Sequence, residues 1–237
     1  MPPAYGKAPG ERMRVELTRS LTAIYQRLLD RFGPQGWWPG ETPFEVVVGA
    51  ILTQSTAWAN VARAIANLKG AGVFSPAALR ALPLERLEEL VRPSGYYHAK
   101  ARKLKAFLAL LAEEYGGELD RLWALPGPEL RQRLLATYGI GPETADSICL
   151  YAAGRPYFVV DAYTRRVFSR LGLVGERADY DELQALFMEN LTADVPLHNE
   201  YHALIVRQGK ETCQKRPRCG ECVLADVCLV GIGAREP

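Results

Sequence analysis

The sequence predicts an all-α fold. Apolar residues recur at steps of three and four along most of the chain, alternation with a period of two is nearly absent, and proline and glycine punctuate the stretches between periodic segments. At about 150 residues per domain, a chain of 237 fits one large or two small domains, either able to bury a core. With 48% apolar and 24% charged residues the composition is that of a globular protein. The longest purely apolar run, Val46 to Leu52, is too short to cross a bilayer, and the opening MPPAYGKAPGERMR lacks the apolar centre of a secretory signal. The expectation is a cytoplasmic protein with no membrane contact. A net charge of +2 neither demands nor excludes a polyanionic partner, because patches decide that.

Taken in order, Leu17, Leu21, Ile24, Leu28 and Phe32 draw one apolar stripe of a first helix, which stops at Gly33-Pro34. A loop with Trp37-Trp38-Pro39 follows, then an apolar segment from Phe44 to Leu52. Past Thr53 to Ser55 comes a helix with Val61, Ile65 and Leu68 on one side. Ser75-Pro76 opens another helix as N-cap and first-turn proline, Leu84 to Val91 forms a short one, and Lys100 to Tyr115 carries Leu104, Phe107, Leu108 and Leu111. The remaining helices are expected over Leu130 to Tyr138, Pro142 to Ala153, Ala162 to Leu171, Tyr180 to Leu191 and Pro196 to Gln208, and the final GIGAREP reads as a loose tail.

Between two of these helices lies Gly139-Ile140-Gly141-Pro142. Two glycines around one apolar residue allow a tight turn with positive φ, Ile140 plugs back into the core, and Pro142 pre-sets the next helix. The free amides of such a helix start can hold a phosphate without reading sequence, although a plain helix connector has the same glycine pattern. Downstream, Phe158-Val159-Val160-Asp161 puts a carboxylate at the end of an apolar run. There it can cap the helix from Ala162, and that role is compatible with catalysis. Four of the five cysteines, Cys213, Cys219, Cys222 and Cys228, fall within sixteen residues, and Cys149 stands apart. In a reducing compartment such clustering points to metal ligands. The spacing by itself leaves an iron-sulfur cubane and zinc both open, although zinc more typically pairs two C-x2-C knuckles.

These residues resemble the endonuclease III branch of the helix-hairpin-helix DNA glycosylases. Gly139-Ile140-Gly141 and Val160-Asp161 match its pattern, with the aspartate eighteen residues after the hairpin position that holds a lysine in the family; here that position is Glu143. Pro43-Phe44-Glu45 through Leu52-Thr53-Gln54 and Gly95-Tyr96-Tyr97-His98-Ala99-Lys100-Ala101 resemble two further family segments. The cysteines resemble its iron-sulfur loop, with a first interval of five residues instead of six. Trp37-Trp38-Pro39, Leu52 to Thr56, Arg92 to Tyr97 and Val159 to Tyr163 are similar to the 3-methyladenine glycosylase subgroup, which also lacks the lysine.

The resemblance implies a two-domain helix-hairpin-helix glycosylase fold. A helical barrel is expected over residues 36–153, and a second domain over 1–35 and 154–237, with the cluster loop at about 212–229. It implies a 4Fe-4S cluster on the four cysteines and damaged double-stranded DNA as partner, lying across the cleft between the domains, with the protein acting as a monomer. Asp161 is then the catalytic carboxylate and Gly139, Ile140 and Gly141 the phosphate grip. Gln54 and Tyr96 are the wedge residues, and Trp58 with Trp37 or Trp38 forms the pocket for the flipped base. Lys215, Arg216 and Arg218 are candidates to meet the DNA backbone. With Glu143 unable to form an imine, the expected activity is a monofunctional glycosylase acting on alkylated purines without strand cleavage. The alternatives are an endonuclease III-like glycosylase for oxidised pyrimidines and a non-catalytic damaged-DNA-binding protein.

Overall fold

The computed structural model describes residues 9–37 and 40–234, with side chains from residue 16 onward. Trp38 of the expected base pocket therefore lies outside the described residues. Among those described, every regular element is helical, and no helix is long and apolar enough to cross a membrane. The chain divides into two compact units, residues 38–155 and residues 1–37 with 156–237.

The central element of the first unit is α2 (Pro43–Leu52), in which every residue from Phe44 onward is buried. Thr42 accepts from Glu45 N at 3.2 Å and Pro43 takes the first turn, so the start is fixed by its cap. Because neighbours surround α2, it has no polar face, and periodicity could not separate it from a buried strand. Packed against it are α3 (Trp58–Gly70), α6 (Tyr97–Tyr115) and α9 (Pro142–Ser147), and α4 (Pro76–Ala81), α5 (Leu84–Val91), α7 (Leu119–Trp123) and α8 (Gly127–Ala136) complete the unit. The sequence reading missed α7, which at five residues is too short to show a period. It also ran α9 on as one helix to Ala153. Instead, residues Ile148–Ala152 form a π turn, closed by Ala153 N donating to Ile148 O at 3.0 Å. Cys149 is buried in that turn, and burial pushes its thiol pKa up to about 12, which makes it a packing residue and not a nucleophile.

The second unit holds α1 (Pro9–Phe32), α10 (Ala162–Leu171), α11 (Tyr180–Met188), α12 (Val195–Glu211) and α13 (Leu229–Gly233). Its core joins Leu21, Ile24 and Leu28 of α1 to Phe158, Phe168, Phe187 and Tyr201. Phe158 and Phe187 stack at 3.8 Å between ring centroids, and the buried Tyr201 hydroxyl donates to Leu21 O at 2.9 Å. Each large apolar side chain so buried contributes about 1.5–3 kcal/mol, which anchors both ends of the segment that carries Asp161. The expected loose tail is corrected in part: Leu229–Gly233 forms a helix. A Cβ at Gly231 would sit 2.5 Å from the Ala225 carbonyl oxygen, so only glycine permits that approach. Residues 235–237 lie outside the described residues.

Candidate functional site

Asp161 is the N-cap of α10. Its Oδ1 accepts from Thr164 N at 2.8 Å and from Thr164 Oγ1 at 3.0 Å, while Oδ2 lies 3.7 Å from His202 Nε2 of α12. Burial pushes the carboxyl pKa up, but His202 and the Thr164 donors outweigh it, and the net shift is below the ordinary aspartate value. The side chain keeps 14% exposure, at the edge of the core. Trp37, half-buried, stands edge-on to His202 with centroids 6.2 Å apart, and Lys210 Nζ sits 5.8 Å from the Trp37 ring and 5.9 Å from that of Tyr163. One unit therefore brings together Asp161 and Trp37 with three residues the sequence reading did not single out, Thr164, His202 and Lys210. The signal for His202 was a pair of histidines at i and i+4, His198 and His202, in the apolar pattern of α12. Of the two, His198 packs against Phe158 in the core, with burial lowering its pKa.

The hairpin belongs to the other unit. Gly139 has φ +77°, and a Cβ there would meet the Lys103 stem at 2.3 Å, while Ile140 is buried as expected. The positive φ expected in the turn falls on Gly139, while Gly141 is the N-cap of α9 with φ −90° and ψ 178° and no atom within 4 Å of an added Cβ. Its role is to keep the approach to the helix start open. Glu143 is exposed in the first turn of α9. Below the turn, Arg131 of α8 makes a two-pronged pair with the fully buried Asp146 of α9, at 2.7 and 3.0 Å. Gln54 is tied to the same turn, donating to Gly139 O at 3.1 Å and Thr144 Oγ1 at 2.9 Å and accepting from Lys103.

Tyr96 is 75% exposed and holds a left-handed conformation at φ +45°, directly after Gly95 at φ +69°. That backbone is disfavoured for a tyrosine, so its surroundings must impose it. The buried Lys100 supplies part of the constraint by donating to Ser94 O at 2.6 Å, and desolvation brings its pKa down to about 8. Trp58 begins α3 in the same unit and is half-buried.

The four cysteines Cys213, Cys219, Cys222 and Cys228 line one cavity, and none is in a disulfide. A structural zinc site typically pairs two C-x2-C knuckles, and this loop has only one, Cys219 with Cys222. Four thiols around one cavity suit a polynuclear cluster. N–H groups already point at the sulfurs: Arg170 Nη1 lies 3.3 Å from Cys213 Sγ, and Gln208 Nε2 and Leu224 N lie 3.2 and 3.4 Å from Cys222 Sγ. Arg170 also donates to Gln214 O and Lys215 O, and Arg166 to Cys213 O, so α10 ties down the first interval of the loop despite its missing residue. Lys215 and Arg216 line a groove with Tyr163, Arg166 and Lys210.

Residues 48–193 match the HhH-GPD superfamily of base excision DNA repair proteins, more than half of the chain. The chain belongs to this family. Residues 215–228 of this DNA glycosylase match the iron-sulfur binding domain of endonuclease III, and the 4Fe-4S cluster of that motif is the group the cysteine-lined cavity fits. The glycosylase is 47% identical over 211 residues to a candidate DNA repair glycosylase of Methanocaldococcus jannaschii, covering 87% of this chain and 94% of that one. It is 27% identical to endonuclease III of Escherichia coli over 188 residues, covering 79% and 83% of the two chains. Among solved structures, a non-covalent endonuclease III–DNA complex superimposes with a TM-score of 0.79 at 25% identity, covering 92% of this chain and 97% of that one. The 3-methyladenine DNA glycosylase of H. pylori bound to 1,N6-ethenoadenine gives 0.70 at 29%, covering 84% and 97%.

Proposed function

We propose that this glycosylase hydrolyses the N-glycosidic bond of an alkylated purine in double-stranded DNA and leaves the abasic strand uncut. The reading rests above all on Asp161, a carboxylate held at a helix start with one oxygen engaged by Thr164 and the other facing His202. As the C1′–N bond breaks, its electron pair leaves with the base and the deoxyribose becomes cationic. The carboxylate stabilises that cation while water adds at C1′ and passes its proton to the carboxylate, which returns it to solvent. Glu143 stands where an amine would be needed for an imine and strand elimination. The iron-sulfur cluster, when bound, crosslinks the loop that carries Lys215, Arg216 and Arg218. Trp37 is the proposed wall for the flipped base, and the likeness to the H. pylori enzyme supports a purine.

One observation favours the second reading, an oxidised pyrimidine. Lys210 already places an ammonium over the Trp37 ring, and a fixed positive charge there opposes a cationic alkylated purine more than a neutral base. Duplexes bearing 3-methyladenine, thymine glycol, or a mismatched thymine or uracil, each incubated with and without borohydride, separate the readings. Preferred release of the alkylated purine with no trapped complex is the expected result. Preferred release of thymine glycol establishes the second reading, and a covalent trap overturns the monofunctional claim. A trap lost in Lys210→Met would identify that amine as its source. No release from any duplex leaves a non-catalytic binding protein.

The hairpin carries its own prediction. Gly141→Val has room in the fold, so it is expected to leave the melting temperature nearly unchanged. It is also expected to weaken binding to damaged and undamaged duplex alike by about tenfold, the equivalent of one charge-assisted hydrogen bond. Unchanged affinity, read by fluorescence anisotropy at fixed salt, would reduce the hairpin to a connector.

A further inference from the structure

We infer that His202 is the positioning residue of the Asp161 carboxylate: its Nε2 lies against Oδ2, the oxygen the helix cap leaves over, and keeps it turned toward the developing sugar cation. The inference rests on the reading of Asp161 as the reactive carboxylate. The two oxygens are not equivalent. Oδ1 takes both Thr164 donors, which fixes it to the start of α10, and a carboxylate so held can still rotate its other oxygen within the space available. Oδ2 is 3.7 Å from His202 Nε2, on a different helix and 41 positions along the chain, so the contact is made by the packing of α10 against α12 and not by local turn geometry.

His202 is itself built in. It is 5% exposed, and Trp37 stands at 88° to it as an edge-on wall. One turn earlier on the same helix, His198 is fully buried against Phe158 and has no carboxylate within ion-pair distance among the described residues. Of two histidines on one helix, only the second reaches the carboxylate, and it does so beside an aromatic ring that can wall the base site. An imidazole at that place orients Oδ2, favours its ionised form, and couples the position of Trp37 to that of the carboxylate.

A double-mutant cycle tests this in the full chain with its cluster intact. His202→Ala is expected to slow single-turnover base release by about 100-fold, as a misplaced reacting group does, while lesion-duplex affinity stays within about twofold. His202→Gln, which keeps a donor, is expected to recover most of that loss. Adding His202→Ala to Asp161→Asn is expected to slow release no further than Asp161→Asn does by itself, because the histidine acts only through the carboxylate. A structural histidine would lower the melting temperature and act additively. Full activity in Asp161→Asn overturns the reading of the carboxylate. An inactive Asp161→Asn with a normal His202→Ala, or an additive cycle, overturns the histidine inference and leaves the carboxylate standing.

Discussion

Asp161→Asn is expected to lower single-turnover base release by about 1000-fold or more while binding lesion duplex as the parent does, because the carboxamide keeps the shape and loses the charge that answers the sugar cation. The substitution is clean for a structural reason. Asn is as good an N-cap as Asp, and its side-chain oxygen can accept from Thr164 N as Asp161 Oδ1 does, so α10 should keep its start. The pH dependence follows from the direction of the shift. With a folded pKa below the unfolded value, Asp161 contributes stability that is present above the unfolded pKa and lost as the pH falls through the folded one. The parent's release rate is accordingly expected to show no acid limb from Asp161 until the pH drops below the usual aspartate range of about 4. Near-normal excision by Asp161→Asn, measured by quench-flow at saturating enzyme, would move the chemistry elsewhere.

What the sequence made legible follows from the range of the forces involved. Helix periods, the Ser75-Pro76 start, the cap at Asp161 and the burial of Ile140 are local, and all appear in the structure. The cysteines were legible because four thiols in one short loop have few alternatives, and they do share one cavity. Contacts between distant residues were not legible. Nothing local tells that His202, rather than His198, reaches Asp161, or that Lys210 settles over Trp37. Gln54 illustrates the same limit: its sequence neighbourhood marked it as a wedge, whereas its side chain bonds Gly139, Thr144 and Lys103 at the hairpin. A wedge role requires it to leave those partners. The glycine pattern does not tell which of the two carries the positive φ: Gly139 does, and Gly141 leaves open space at the helix start.

The Arg131–Asp146 pair is the strongest case of a contact the sequence hid, and its loss is expected to be the most damaging to the hairpin. The two residues lie on the helices that flank the turn, and Asp146 is completely buried, so their bidentate bond staples α8 to α9 beneath Gly139-Ile140-Gly141. Attraction between the charges does little more than offset their desolvation, so the pair adds little net stability over a well-packed apolar contact. Removing one partner is different, because the other charge then stays behind without compensation. Asp146→Ala is therefore expected to cost about 3 kcal/mol, the low end for a broken buried pair, since Arg131 keeps 21% exposure and water can reach part of its charge. The joint replacement Arg131→Met with Asp146→Leu is expected to return stability to within about 1 kcal/mol of the parent. Urea unfolding of the three proteins decides it. If the joint variant is as unstable as Asp146→Ala, the charges themselves hold the hairpin. If Asp146→Ala loses less than about 1 kcal/mol, the staple has no structural weight.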